Sequence, residues 1–176
     1  MYYPLNSNGS YAIEYATINF TKNIIEPFAE YDNEFYKISP ITNNIYLSGV
    51  MIAQDINKIK EYNINCIINC TKHIPNNFNN ITYLRVPIDD GYNQDINIYF
   101  DETFNFIETS IKNNQNILVH CHAGISRSAT ILIAYFMKKN NWNLQQALKF
   151  VKSKRSIVNP NPDFMKALEN YTPVLS

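Results

Sequence analysis

Cys121, Gly124, Arg127 and Ser128 stand in one short stretch, Ile117 to Thr130, which reads ILVHCHAGISRSAT. A thiol is a nucleophile once it is a thiolate, and a guanidinium is a planar fork that grips two oxyanion oxygens at once, as lysine cannot. These side chains need a scaffold that brings them to one point. Ile117-Leu118-Val119 is apolar enough for a buried strand, and Ala129 to Met137 is an apolar run without Gly or Pro that suits a buried helix. A strand that feeds a tight loop into a helix N-terminus turns backbone N–H groups and the positive end of the helix dipole toward one spot, and such a spot binds anions. The field that attracts phosphate also stabilises S⁻, so Cys121 is expected as a thiolate with Arg127 closing the loop. Gly124 lets the backbone turn without a Cβ in the way. The competing reading, an ordinary buried thiol at a strand end, leaves Gly124, Arg127 and Ser128 unexplained.

A thiolate that attacks an oxyanion ester needs a proton for the departing oxygen and then a base for water. A carboxylic acid on an opposing loop supplies both. Asp89 and Asp90 precede Gly91 and follow an apolar turn. On residue type alone either serves, and both also read as solvated loop carboxylates.

The chain has 176 residues, 45% of them hydrophobic and 17% charged, which suits one globular catalytic unit. With 15 basic and 15 acidic residues the formal charge is zero, so no polyanion footprint exists and nucleic acid is not an expected partner. Three cysteines do not make a disulfide framework. Cys66 and Cys70 read as core thiols on a buried strand, too far apart to bond. His73, His120 and His122 lack partners at ligand spacing, so no metal is expected, and no cofactor. No apolar run approaches a membrane span, and the N-terminus shows no signal-peptide h-region. A reactive thiolate needs reducing surroundings, so an intracellular, cytoplasmic protein is expected, with the nucleus open.

Residues 1–38 are Tyr- and Asn-rich and carry no evident chemistry; Glu14 to Phe28 is a weak helix candidate. They read as an extension that covers a domain edge or makes an oligomer contact. The catalytic domain is expected over 39–176, starting near Ser39-Pro40. Its elements follow as a strand at Ile45–Leu47 closed by Ser48-Gly49, an amphipathic helix from Ala53 to Tyr62, and strands at Cys66–Asn69 and Thr82–Val86. Then come a helix from Tyr99 to Lys112 with Phe100, Phe104, Ile107 and Ile111 on one stripe, the Ile117 strand and the long apolar helix. Asn143 can cap a helix with Leu144, Ala147, Leu148 and Val151 inward, and Asn161-Pro162 marks the start of a last one. This order predicts an α/β fold with a central, mainly parallel sheet flanked by helices. The Cys121 loop lies between a strand and a helix, at a strand's carboxyl end, where ligands bind in such sheets.

The string HCHAGISRS resembles the signature of the cysteine-dependent protein tyrosine phosphatases, and with the apolar helix after it, that of the dual-specificity branch. The resemblance covers roughly Ile45 to Tyr171. It implies a metal-free phosphatase of phosphotyrosine and phosphoserine or phosphothreonine in proteins, working through a cysteinyl-phosphate. Its implied residues are Cys121 as nucleophile, Arg127 on the phosphate oxygens and Ser128 beside the leaving thiolate, Ser128 also reading as a helix N-cap. Aligning Tyr83 to Ile88 with the family pattern puts the acid at Asp90, with Asp89 the alternative. His122, Ala123, Gly124, Ile125 and Ser126 line the phosphate loop, His122 on its outer side where substrate passes and Ser126 with a hydroxyl that serves backbone. His120 is expected to support the loop and tune the thiol. Asn69 and Asn161 are expected to support it from a strand end and the last helix. Arg155 falls where some members hold a second phosphate; its plain reading is a solvated cation beside Lys152 and Lys154. The rivals are a phosphoinositide or RNA 5′-phosphatase, disfavoured because no lysine stands in the loop, and a non-catalytic phosphoprotein-binding module, disfavoured because nucleophile and acid are both present.

Overall fold

The computed structural model describes residues 34–173; the helix expected over Glu14–Phe28 lies outside them. Five strands form one sheet in the order β1-β2-β5-β3-β4. They are β1 (Ser39–Pro40), β2 (Ile45–Ser48), β3 (Ile64–Asn69), β4 (Thr82–Arg85) and β5 (Asn116–His120). Pairing is parallel throughout except at β1, which runs antiparallel to β2 on the edge. Among the described residues six α-helices accompany the sheet: α1 (Val50–Ala53), α2 (Ile56–Glu61), α3 (Phe100–Lys112), α4 (Arg127–Asn140), α5 (Leu144–Lys154) and α6 (Pro162–Glu169). The expected α/β fold is the observed one.

The sheet is covered on both faces, and strand periodicity decides which residue goes where. On β5, Ile117 and Val119 join the larger core with α3, α4, α5 and α6, whereas Leu118 points the other way to meet Ile67, Ala53 and Ile59 of the α1–α2 side. A strand buried on both faces must be apolar without alternation, which is why ILV reads as a plain run. Helix α4 is buried at every residue from Ser128 to Met137. A helix apolar all round has no solvent face, so α4 sits inside the helical layer and fixes its first turn, at Arg127, against the sheet's carboxyl edge. The α3 stripe faces inward with Phe100 and Ile107 fully buried, and Phe104 and Ile111 packed against the core.

Some expectations need correction. The helix read from Ala53 to Tyr62 is two helices, because the Asp55 side chain accepts from the backbone of Asn57 and Lys58 and starts α2 anew. Cys70 lies just past the end of β3; it and Cys66 are buried and unpaired. Asn143 forms a capping box with Gln146, and Asn161 caps α6 with Pro162 at its first position, as their types require. Among the described residues no helix is long and apolar enough to cross a membrane.

Candidate active site

The register puts His120 of β5 between Ser48 of β2 and Asn69 of β3, so Cys121 is the first residue beyond the carboxyl edge of the central strand. From there the loop runs to Ser126 and enters α4 at Arg127. Its carbonyls are all claimed on the outer side. His122 O accepts from Val50 N at 3.0 Å, Ala123 O from Arg155 Nη2 at 3.1 Å, Gly124 O from Arg155 Nε at 2.9 Å and Ile125 O from Asn159 N at 3.0 Å. In a planar trans peptide each carbonyl is antiparallel to the next N–H. The N–H groups of Ala123, Gly124, Ile125 and Ser126 are therefore turned to the concave side, as an anion-binding nest. Gly124 carries φ +69°, and a Cβ there would lie 2.6 Å from Ser48 C and O, so this position requires glycine both for its dihedral and for space.

Cys121 lies at the floor of this nest, 1% exposed. Its Sγ accepts from the Gly124 N–H at 3.2 Å and from the Ser128 hydroxyl at 3.1 Å. Ser128 is the second residue of α4, so its hydroxyl serves the sulfur rather than capping the helix. The N-cap position belongs to Ser126, whose hydroxyl does not cap either. Arg127 lies along the rim with Nη1 on Ile88 O at 3.3 Å, while its Nε is buried without a hydrogen-bond partner. A buried guanidinium N–H left open in this way is a donor awaiting an acceptor.

The two candidate acids point in different directions. Asp89 turns outward to Lys72, with Nζ–Oδ2 at 3.3 Å. Asp90 turns to the loop, where its Oδ1 accepts from Ser126 Oγ at 2.7 Å and from Asn161 Nδ2 at 2.8 Å. Its Oδ2 lies 3.7 Å from Arg127 Nε. Ser126 does more than satisfy backbone, then: it donates to Asp90 and accepts from Asn161 N at 3.2 Å. The backbone and side chain of Asn161 thus join the start of α6 to Ser126 and Asp90, and the cap it gives Phe164 N holds it in place.

His120 is buried, with Nδ1 3.2 Å from Cys121 O. A carbonyl only accepts, so Nδ1 carries the proton. Burial, reinforced by the charges of Arg127 and Arg85, pushes the imidazole down to about 4 against the carbonyl contact that favours its cation. The ring is a neutral strut under the nucleophile. Asn69 braces the neighbouring 71–76 turn through Thr71, Ile74 and Asn76. His122 is exposed at the mouth, with Ala123 and Ile125 half-buried.

Neither reading of Arg155 fits its position. It is 1% exposed, with the guanidinium turned to the back of the loop, away from both solvent and the phosphate side. The β2–α1 turn at Val50, the Asn159 backbone and Ser39 also hold the loop or its brace. They do so through main-chain groups or a single edge hydroxyl, which leave no pattern in the sequence. Among the described residues no three His, Cys, Asp or Glu side chains gather as a metal set.

A thiol at a parallel sheet's carboxyl edge, in a Cys-x5-Arg loop that opens a buried helix, defines the fold of the cysteine-dependent phosphatases. Comparison narrows the class, since residues 45–173 match the family model "Dual specificity phosphatase, catalytic domain". The chain belongs to that family. It is 38% identical over 135 residues to dual specificity protein phosphatase 14 of Mus musculus, covering 76% of this chain and 68% of that protein. Protein phosphatase Slingshot homolog 2 of Homo sapiens is 34% identical over 160 residues, 86% of this chain but 11% of the longer protein. The crystal structure of DUSP15 superposes with a TM-score of 0.72 at 36% identity, covering 75% of this chain and 85% of that one.

Proposed function

We propose that this chain dephosphorylates phosphotyrosine together with phosphoserine and phosphothreonine in proteins, through a cysteinyl-phosphate on Cys121. The observation that carries this is the pairing of a sulfur held by Gly124 N–H and Ser128 O–H with a carboxylate, Asp90, held over the same loop. The substrate's phosphoryl oxygens take the inward N–H groups and Arg127 Nε, and the thiolate attacks phosphorus in line. The S–P bond forms as the ester P–O bond breaks, and Asp90 gives its proton to the departing oxygen. Because Oδ1 is occupied by Ser126 and Asn161, Oδ2, on the Arg127 side, is the oxygen that carries that proton. Asp90 then takes a proton from water as the water oxygen attacks the phosphocysteine. The S–P electrons return to sulfur, where the Ser128 hydroxyl stabilises them.

Substrates with clustered phosphates fit less well. The variable loop positions are His122, Ala123, Ile125 and Ser126, and Arg155 is unavailable to a second phosphate, which favours a protein phosphomonoester over a phosphoinositide or an RNA 5′ end. A thiolate nucleophile works in reducing surroundings, so we place the activity in the cytoplasm. The test compares initial rates on a phosphotyrosyl peptide, a phosphothreonyl peptide, a phosphoinositide and a 5′-triphosphorylated RNA. Turnover of both peptides above the other two supports the reading, and preference for either of the latter refutes it. An Asp90→Ala variant used as bait should retain phosphoproteins that phosphate competes off.

A further inference from the structure

We infer that Arg155 is a positioning residue for the phosphate loop, orienting from behind the N–H groups that face the nucleophile. The inference rests on the loop being the phosphate site. All three guanidinium nitrogens are engaged. Nε donates to Gly124 O at 2.9 Å and Nη2 to Ala123 O at 3.1 Å, which leaves Nη1 for the other side, where it meets Lys37 O and Ser39 Oγ, each at 3.2 Å. Glu34 Oε2 stands 4.0 Å from Nη1 and balances the charge.

The consequence for the front of the loop follows from peptide planarity. Pulling Ala123 O and Gly124 O backward fixes Gly124 N–H and Ile125 N–H forward. The first of these is the N–H on Cys121 Sγ. A guanidinium suits this task because its fork spans adjacent carbonyls with fixed geometry, whereas an ammonium is a point donor. Burial opposes the Arg155 cation, and Glu34, then the neighbouring Cys121 site, favour it. Burying an arginine at the end of α5 is unfavourable before its bonds are made, and an apolar side chain would fill the same space without that penalty. A merely space-filling role does not account for it. Of the groups that brace the outer side of the guanidinium, Glu34 and Lys37 fall within residues 1–38 and Ser39 opens the expected catalytic domain.

The test uses the full chain with Arg155→Met, which keeps length and packing, and Arg155→Lys, which keeps charge but not the fork. Four readouts are compared at a temperature well below each variant's Tm: kcat and KM on an aryl phosphate, the inhibition constant of inorganic phosphate, and the iodoacetate alkylation rate of Cys121 across pH. Losing one preorganised oxyanion donor costs about 100- to 1,000-fold in kcat. Two donors loosened rather than removed should cost about 10- to 100-fold in Arg155→Met, with weaker phosphate inhibition and an alkylation profile moved to higher pH. Arg155→Lys should recover part of each. Wild-type values for all four readouts in a folded Arg155→Met overturn the inference. If that variant does not fold, Arg155→Lys decides, since wild-type phosphate inhibition and alkylation there overturn it equally. A wild-type protein that neither turns over aryl phosphate nor binds phosphate overturns the proposed function, and this inference with it; an active wild type with indifferent variants overturns this inference alone.

Discussion

Replacing Gly124 by alanine tests whether loop geometry, rather than mere residue content, makes the site. The new Cβ would lie 2.6 Å from Ser48 C and O and 3.0 Å from Gly49 N, all of them backbone atoms at the end of β2. Ordinary carbon contacts lie at about 3.5–4.0 Å, so roughly 1 Å of overlap must be relieved by moving the loop off the strand. Overpacking of this kind costs about 1–3 kcal/mol. Holding alanine at φ +69° adds about 1 kcal/mol. The sum is about 2–4 kcal/mol of stability, read from urea unfolding midpoints at unchanged slope. Moving the loop also draws the Gly124 N–H off Cys121 Sγ, so kcat/KM should fall beyond what the unfolded fraction explains. Gly91→Ala is the matched control: nothing lies within 4 Å of its Cβ position, and its stability should stay within about 0.5 kcal/mol of wild type. A Gly124→Ala protein as stable as that control, with wild-type kcat/KM, would refute the reasoning.

Arg127→Lys should be nearly as inactive on aryl phosphates as Arg127→Ala, because an ammonium cannot replace the fork; steady-state kinetics with rescue to within ten-fold of wild type would argue otherwise. Asp90→Asn should lower kcat most for alkyl phosphates and least for activated aryl phosphates, while Asp89→Asn, which loses only its contact with Lys72, leaves kcat alone for both. The reverse pattern would move the acid to Asp89. His120 contributes to the loss of stability in acid. Its imidazole sits at about 4 when folded against an ordinary 6.5, so the unfolded chain takes up this proton first as pH falls. Stability is then full above pH 6.5 and declines toward pH 4 by about 3 kcal/mol on this account. His120→Asn should make that slope shallower by about one proton, as measured by denaturant melts across the window; an unchanged slope would show that the buried ring is not its source.

The parts of the site that lie along one stretch were legible in advance. Cys121, Gly124, Arg127 and Ser128 share a loop whose flanks announce a strand and a helix, and Asn143 and Asn161-Pro162 announce helix starts, because these signals are local. Parts that depend on distant pairing were not. Asp89 and Asp90 are alike in type and neighbours in sequence, and only the resemblance to the family favoured Asp90; in space one faces Lys72 and the other faces Ser126. Arg155 follows Lys152 and Lys154 and reads as one more surface cation. Its burial depends on loop carbonyls some thirty residues away and on Lys37 and Ser39 more than a hundred away. The break at Asp55 is hidden in the sequence because the apolar spacing of Ile56 and Ile59 continues the helical pattern across it, while the carboxylate that caps α2 is a short-range competitor for the backbone.

The central claim is the covalent intermediate on Cys121, and trapping it is the direct test. Enzyme mixed with an aryl [³²P]phosphate should be quenched in denaturant within the first turnover, digested, and its labelled peptide sequenced by mass spectrometry. The expected result is a burst of aryl alcohol matched by phosphate on Cys121, no label in Cys121→Ser, and more label in Asp90→Ala with an activated substrate, because the water-activating carboxylate is gone. Steady turnover without a burst or any label on Cys121, or turnover that survives Cys121→Ser, would contradict it.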